Sequence, residues 1–158
     1  MNKIINLNTC TLCRDLSITD AEFLAKHFVQ SQPWQTLGIS ATGLKNYLLK
    51  QDSHLYRYAV HVDNSLAGVI CIRTPWLRGD YIELLGLVES YRGRGIGTEL
   101  LQWAESKASP HSNNLWLLTS SFNHPALKFY QRHGFKQIGI IEGLVHHDHD
   151  ELLLRKRW

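Results

Sequence analysis

A chain of 158 residues, 44% of them hydrophobic, is enough for one compact domain with a real core and leaves little room for a second. Its 17 basic and 14 acidic residues give a net charge of +3, a mild excess that suits an anionic ligand but is too small and too scattered to demand nucleic acid. The start, MNKIINLNTC, lacks the apolar stretch of a signal peptide, and no segment reaches the roughly eighteen apolar residues of a membrane span, so the expectation is a cytoplasmic protein with no membrane partner.

Alternation in IINLNTCTL (4–12) predicts a first strand. Cys10 and Cys13 form a lone C-x-x-C within it; with three cysteines in all there is no second pair to complete a tetrahedral zinc site, and reduced thiols are expected. Thr19 with Glu22 three residues later reads as a capping box for a helix through AEFLAKHF, which stops near Gln32 because Pro33 disfavours helical geometry in its predecessor. The loop QPWQTLG (32–38) leads to a second helix around TGLKNYLLKQ. LYRYAVHV (55–62), a DNS turn and LAGVICIRT (66–74) predict a hairpin, and DYIELLGLV (80–88) is apolar almost throughout, as a strand covered on both faces would be.

From Gly97 the residues Leu100, Leu101, Trp103, Ala104 and Ala108 share one helical face, closed by Ser109-Pro110. LWLLTSS (115–121) is a buried strand. In NHPALKFYQRHGF, Asn123 stands at a helix cap, Pro125 in the first turn, and Gly134 with Phe135 at the end. KQIGIIEGL and ELLLRKR are two further strands around the histidine-rich LVHHDHD. The order β, α, α, β, β, β, α, β, α, β, β describes a single mixed α/β domain on one sheet.

Between the fourth strand and the third helix lies ESYRGRGIGTELLQWAE (89–105), with three glycines in five positions. The first amides of a helix have no intrahelical partner, and a glycine-rich entry lets an anion reach them. Arg92 and Arg94 add charge suited to a pyrophosphate. No Lys-Ser or Lys-Thr follows Gly97, which excludes a nucleotide-triphosphate loop, and the spacing G-x-G-x-G fits a dinucleotide fingerprint badly.

Arg92-Gly93-Arg94-Gly95-Ile96-Gly97 does match the acyl-CoA signature R/Q-x-x-G-x-G/A, and SSFNHPALKFYQRHGF follows about thirty residues later. On these two blocks the chain resembles the GCN5-related N-acetyltransferase (GNAT) family. The resemblance implies a largely antiparallel central sheet of about seven strands with flanking helices. It also implies acetyl-CoA as cosubstrate, no metal, and direct attack by a primary amine acceptor, either a small molecule or a protein N-terminus or lysine. The pyrophosphate would lie on the turn from Gly93 to Thr98, which includes Arg94, Gly95, Ile96 and Gly97, with Arg92 beside it, and the cofactor arm along Leu85, Leu87 and Val88.

Asn123 would contact that arm, and Tyr130 would meet the sulfur and protonate the departing thiolate, unless it is a core aromatic. Glu83, on the strand feeding the site, is a candidate base or else a carboxylate paired across the sheet. Some relatives carry the base two residues earlier, where this chain has Tyr81. Trp34 is either an acceptor-pocket wall or a packing residue under its loop. His146, His147, Asp148, His149, Asp150 and Glu151 are all competent metal ligands, but a solvated turn is the plainer expectation; the resemblance puts this loop beside the acceptor, so one of these groups could instead touch substrate. A CoA-binding sensor that has lost transfer is the alternative function, and a homodimer through the last strand and its loop is compatible with the pattern.

Overall fold

Asparagine-rich sequence breaks the first expected strand in two. In a computed structural model describing residues 3–158, Leu7 N–H donates to the Cys10 carbonyl at 2.9 Å. The chain thus folds back between β1 (Ile4–Asn6) and β2 (Thr11–Arg14), which pair antiparallel with Ile4 opposite Cys13. Alternation cannot register such a reversal, because residues on both sides of it keep the same polarity pattern. The sheet accordingly has eight strands where about seven were expected.

Helix α1 (Ile18–Phe28) is capped two residues ahead of the expected position. Ser17 is its N-cap: Asp20 N–H donates to Ser17 Oγ at 3.0 Å and Ser17 N–H to Asp20 Oδ2 at 3.3 Å, a reciprocal capping box that displaces the Thr19–Glu22 alternative. It ends at Phe28, short of Gln32, because Ser31 N–H turns back to the Phe28 carbonyl at 2.9 Å. Helix α2 (Ala41–Leu49) is capped by Ser40 Oγ, which accepts from Gly43 N–H at 3.0 Å.

The remaining elements are β3 (Leu55–Val62), β4 (Ser65–Trp76), β5 (Gly79–Leu87), α3 (Ile96–Ala108), β6 (Asn114–Ser120), α4 (His124–Arg132), β7 (Lys136–His146) and β8 (His149–Arg157). Positive φ at Asp63 and Asn64 makes the tight β3–β4 turn, and Leu77 and Arg78 do the same between β4 and β5. The histidine-rich stretch is mostly strand; only His147 and Asp148 form its turn. Strand order is β1-β2-β3-β4-β5-β6-β8-β7, antiparallel except where β5 meets β6. That parallel pair needs a crossover, and α3 provides it.

Side chains from α3, including Ile96, Leu100 and Ala104, bury one face of the sheet with Leu12, Ile70, Leu117 and Leu154. On the other face α1 and α2 contribute Leu24, Phe28, Leu44 and Leu48 over Val69 and Cys71. Each fully buried leucine of these layers is worth about 1.5–3 kcal/mol of transfer free energy. Strand β7 forms one edge of the sheet, opposite β1, and leaves Ile138, Ile140 and Leu144 exposed. Among the described residues no helix is long and apolar enough to cross a membrane.

One irregularity positions the site. Cys71 of β4 lies opposite Leu84, but Ile72 lies opposite Ile82, so Glu83 is an extra residue that bulges β5. Beyond the bulge β5 leaves β6: their pairing covers only Asp80–Leu115, Tyr81–Trp116 and Ile82–Leu117. β6 continues against β8 as far as Ser120 opposite Glu151. The two central strands therefore diverge, and their facing edges beyond Ile82 and Leu117 have no strand partner.

Candidate active site

A cavity of about 1100 Å³ occupies this divergence, walled by β5, the ends of β6 and β8, the starts of α3 and α4, and the loop after α1. At its α3 end the glycine turn takes the conformation its composition suggests. Gly93 has φ +73° and Gly95, the N-cap of α3, has φ +81°; a Cβ at either would meet nothing within 4 Å, so the requirement there is conformational. Gly97 is different: its Cβ would lie 3.0 Å from Cζ of Phe129, so glycine there lets α3 approach α4.

Outside the regular elements, no backbone hydrogen bond among the described residues is donated by Gly93, Arg94 or Gly95. With the free first amides of α3 these N–H groups leave an anion-accepting cradle at the cavity edge. Thr98 lines the cavity and shares a hydrogen bond with His133 Nε2 at 3.1 Å.

Three of the expected cofactor residues have side chains outside the cavity wall. Arg94 lies with its guanidinium 5.2 Å from the Tyr91 ring centroid, outside the cavity wall. Ile96 is 2% exposed and points into the core, so only its backbone faces the turn. Val88 is buried and its N–H donates to the Ala67 carbonyl at 2.8 Å, which turns it toward β4. Arg92 does line the cavity, but its Nε donates to the Leu87 carbonyl at 3.2 Å and its Nη2 to Ser31 Oγ at 3.3 Å. Arg132, at the end of α4, is a cavity-lining cation that the motif did not single out.

Asn123 caps α4, its Oδ1 accepting from Ala126 N–H at 3.4 Å, and two turns later Tyr130 stands in the same cavity wall. Burial pushes the Tyr130 phenol up to about 12, so the hydroxyl keeps its proton throughout the physiological range. Leu85 and Leu87 present the unpaired edge of β5 to the same space.

Elsewhere in the cavity Trp34 is both wall and packing residue. Its ring stacks on Phe28 with centroids 4.7 Å apart, and both rings press on Gly86 of β5. Tyr81 lines the cavity beside Trp76, and burial pushes its phenol far above the ordinary value. Glu83 lines it too, with both oxygens engaged: Tyr47 OH donates to Oε2 at 2.6 Å, Arg73 Nε to Oε1 at 2.7 Å, and Arg73 also reaches Asp52 at 3.0 Å.

Glu151, grouped by sequence with the histidine-rich loop, stands instead within β8 and in the cavity wall. It is 5% exposed, Ser120 Oγ donates to its Oε1 at 3.0 Å, and its buried Oε2 has no partner. Burial pushes its carboxyl above the ordinary glutamate value, against the Ser120 bond. In the sequence it was one of six polar groups of that loop, and nothing local set it apart from the others. His146, His147 and Asp148 bring ligand atoms within 4.8 Å of one another at the β7–β8 turn, where His147 and Asp148 are exposed.

Among curated proteins the chain is 28% identical over 109 residues to an N-alpha-acetyltransferase of Saccharolobus solfataricus, covering 60% of this chain and 65% of that one. It is 36% identical over 98 residues to N-alpha-acetyltransferase 30 of Schizosaccharomyces pombe (52% and 65%). It is 31% identical over 93 residues to streptothricin acetyltransferase A of Bacillus subtilis (56% and 51%). The chain thus spans about half to two thirds of the length of these relatives. Among solved structures, the ribosomal L7/L12 alpha-N-protein acetyltransferase RimL superposes with TM-score 0.75 over 100% of this chain and 96% of that one, at 19% identity. Naa50 of Arabidopsis thaliana, solved with the bisubstrate analogue CoA-Ac-MVNAL, gives TM-score 0.58 at 26% identity over 65% and 72%. The Acetyltransferase (GNAT) family matches residues 17–135, a span that takes in the glycine turn, the diverging strands and the Asn123–Tyr130 helix, and the chain belongs to that family.

Proposed function

We propose that this protein transfers an acetyl group from acetyl-CoA to a primary amine. The observation that carries the reading is the left-handed Gly93–Gly95 turn, whose undonated amides open onto the cavity between the diverging strands. Bound there, acetyl-CoA supplies an activated thioester carbon and a sulfur leaving group. The residues present fit it: the turn and the first amides of α3 take the pyrophosphate, Arg92 and Arg132 add positive charge beside it, and the free edge of β5 at Leu85 and Leu87 hydrogen-bonds an extended amide arm as an added strand would.

Asn123 orients that arm, and Tyr130 holds its hydroxyl toward the sulfur. A phenol near 12 is a weaker acid than an ordinary thiol at about 8.5, so Tyr130 acts chiefly by donating a hydrogen bond to the developing thiolate rather than by surrendering its proton. Trp34 and Tyr81 shape the acceptor end. Glu83, tied to Arg73 and Tyr47, holds that wall in place; a base role there would require it to release one of these partners.

The acceptor is a small-molecule amine or a protein N-terminus or lysine; the names of the matched relatives point to the first two, and the cytoplasm is the compartment we assign. Calorimetric titration with acetyl-CoA, with ATP and NAD in parallel, tests the cofactor reading. Saturable binding of acetyl-CoA alone supports it, as does loss of that binding in Gly95→Val, which forces a β-branched residue to φ +81°. No binding by the wild type sinks it. Binding without transfer to any amine would instead favour a sensor.

A further inference from the structure

We propose that Glu151 is the proton acceptor for the incoming amine, with Ser120 holding its other oxygen. The assignment rests on the acetyl-transfer reading of this cavity. Glu151 is placed by register: β8 sets it opposite Ser120 on one side and Ile141 of β7 on the other, and Ser120 is where β6 ends its pairing at the cavity. Glu151, Ser120, Thr119 and Tyr81 all belong to the cavity wall.

The carboxyl is 5% exposed and Ser120 is 3% exposed, yet no cation reaches Glu151 among the described residues. From β6 it faces the Ser120 hydroxyl, from β5 the protonated Tyr81 phenol, whose proton affinity Glu151 helps to raise, and from β7 the apolar Ile141. On its own strand Asp150 is turned to the Gly143 N–H and His149 to the Phe122 ring. A buried carboxyl with one bare oxygen opposes folding, and such groups concentrate where chemistry uses them. Glu83 offers the contrast, since Arg73 and Tyr47 occupy both its oxygens.

The step balances without a further reactant. An acceptor ammonium N–H bond breaks, its electron pair stays on nitrogen, and the proton bonds to a Glu151 oxygen, leaving a neutral amine able to attack. Glu151 returns to the carboxylate by releasing the proton to solvent through the cavity. Burial, by raising the carboxyl's proton affinity, brings it closer to that of the amine and makes the transfer less uphill.

The test compares wild type with Glu151→Gln, which keeps the volume and an acceptor for Ser120. Probes are acetyl-CoA with glycinamide, spermidine and a pentapeptide bearing a free amino terminus, with CoA release followed from roughly pH 6 to 10. The variant is expected to bind acetyl-CoA as the wild type does, to turn over about 100-fold more slowly near neutrality, and to recover as pH rises and the amine deprotonates unaided. In urea it should be at least as stable as the wild type. A deficit under threefold, or one that does not change with pH, overturns the assignment while leaving acetyl transfer intact. Should none of the amines react, the carboxyl is read directly: with 13C-labelled glutamate, the resonance missing from Glu151→Gln should titrate above about 4.3 in the acetyl-CoA complex, and titration at or below that value overturns the proposal. Failure to bind acetyl-CoA at all overturns the transferase reading and this assignment with it.

Discussion

Gly86→Ala should destabilise the protein through a single methyl group. Built on the backbone, that Cβ lies 2.8 Å from Cζ and 2.9 Å from Cε2 of Phe28, and 3.0 Å from Cη2 of Trp34. Unstrained carbon contacts sit at about 3.5–4.0 Å, so the rings must retreat by roughly half an ångström or more. Phe28 is 0% exposed, packed with Leu24, Leu44 and Leu48, and has nowhere to go. Overpacking of this kind costs about 1–3 kcal/mol, and a loss near 2 kcal/mol lowers Tm by about 4–8 °C at this chain length.

Urea unfolding followed by tryptophan fluorescence measures the loss. Gly139→Ala on β7, whose Cβ meets nothing within 4 Å, is the control and should stay within about 0.5 kcal/mol of wild type. In a Phe28→Leu background, where the ring atoms at 2.8 and 2.9 Å are gone, Gly86→Ala should cost less than half as much, a coupling that a double-mutant cycle isolates. An unfolding midpoint for Gly86→Ala equal to wild type would refute the claim that the Phe28–Trp34 stack is fixed against β5. So would an unchanged cost in the Phe28→Leu background.

The other predictions concern the chemistry and the charges. Tyr130→Phe should bind acetyl-CoA within about threefold of wild type and lower kcat about 100-fold; calorimetry and steady-state kinetics on the same preparation separate the two, and an unchanged kcat removes the hydroxyl from the mechanism. Arg73→Met leaves Glu83 and Asp52 without their shared cation and should lower stability at pH 7, chiefly through Glu83, whose side chain is the less exposed of the two at 19%. The Asp52 carboxyl is held below its ordinary value first by the His54 N–H and then by Arg73. Its contribution is therefore present above the unfolded value and lost as pH falls through the depressed one, so the gap between wild type and Arg73→Met in urea should narrow below about pH 4. Burial pushes the Cys10 thiol up to about 11 and Cys71 to about 12, so iodoacetamide at about pH 7.5 should label native protein at Cys13 alone; labelling of Cys71 without unfolding would contradict its burial.

What was legible in advance was local. A G-x-G-x-G entry to a helix announces φ above zero and free amides whatever surrounds it, and Gly93 and Gly95 take that conformation. Asn123 followed by Pro125 announces a helix start, and α4 begins there. Capping was less secure where side-chain acceptors crowd: Ser17, Thr19, Asp20 and Glu22 offer two overlapping boxes, and hydrogen-bond geometry chose Ser17 with Asp20.

Sequence by itself therefore determined the α/β order after the split first strand, the left-handed glycine turn and the helix that carries Asn123 and Tyr130, because each depends on backbone preferences within a few residues. Tertiary structure decided which side chains share the cavity. Glu83 became a partner of Arg73, ten residues away, and Tyr47, thirty-six away, while Glu151 met Ser120 across thirty-one, and Gly86 came to lie beneath rings from α1 and its following loop. Such pairings follow from strand register and from the bulge at Glu83, and register is set by the sum of packing over the whole sheet rather than by any one stretch of chain.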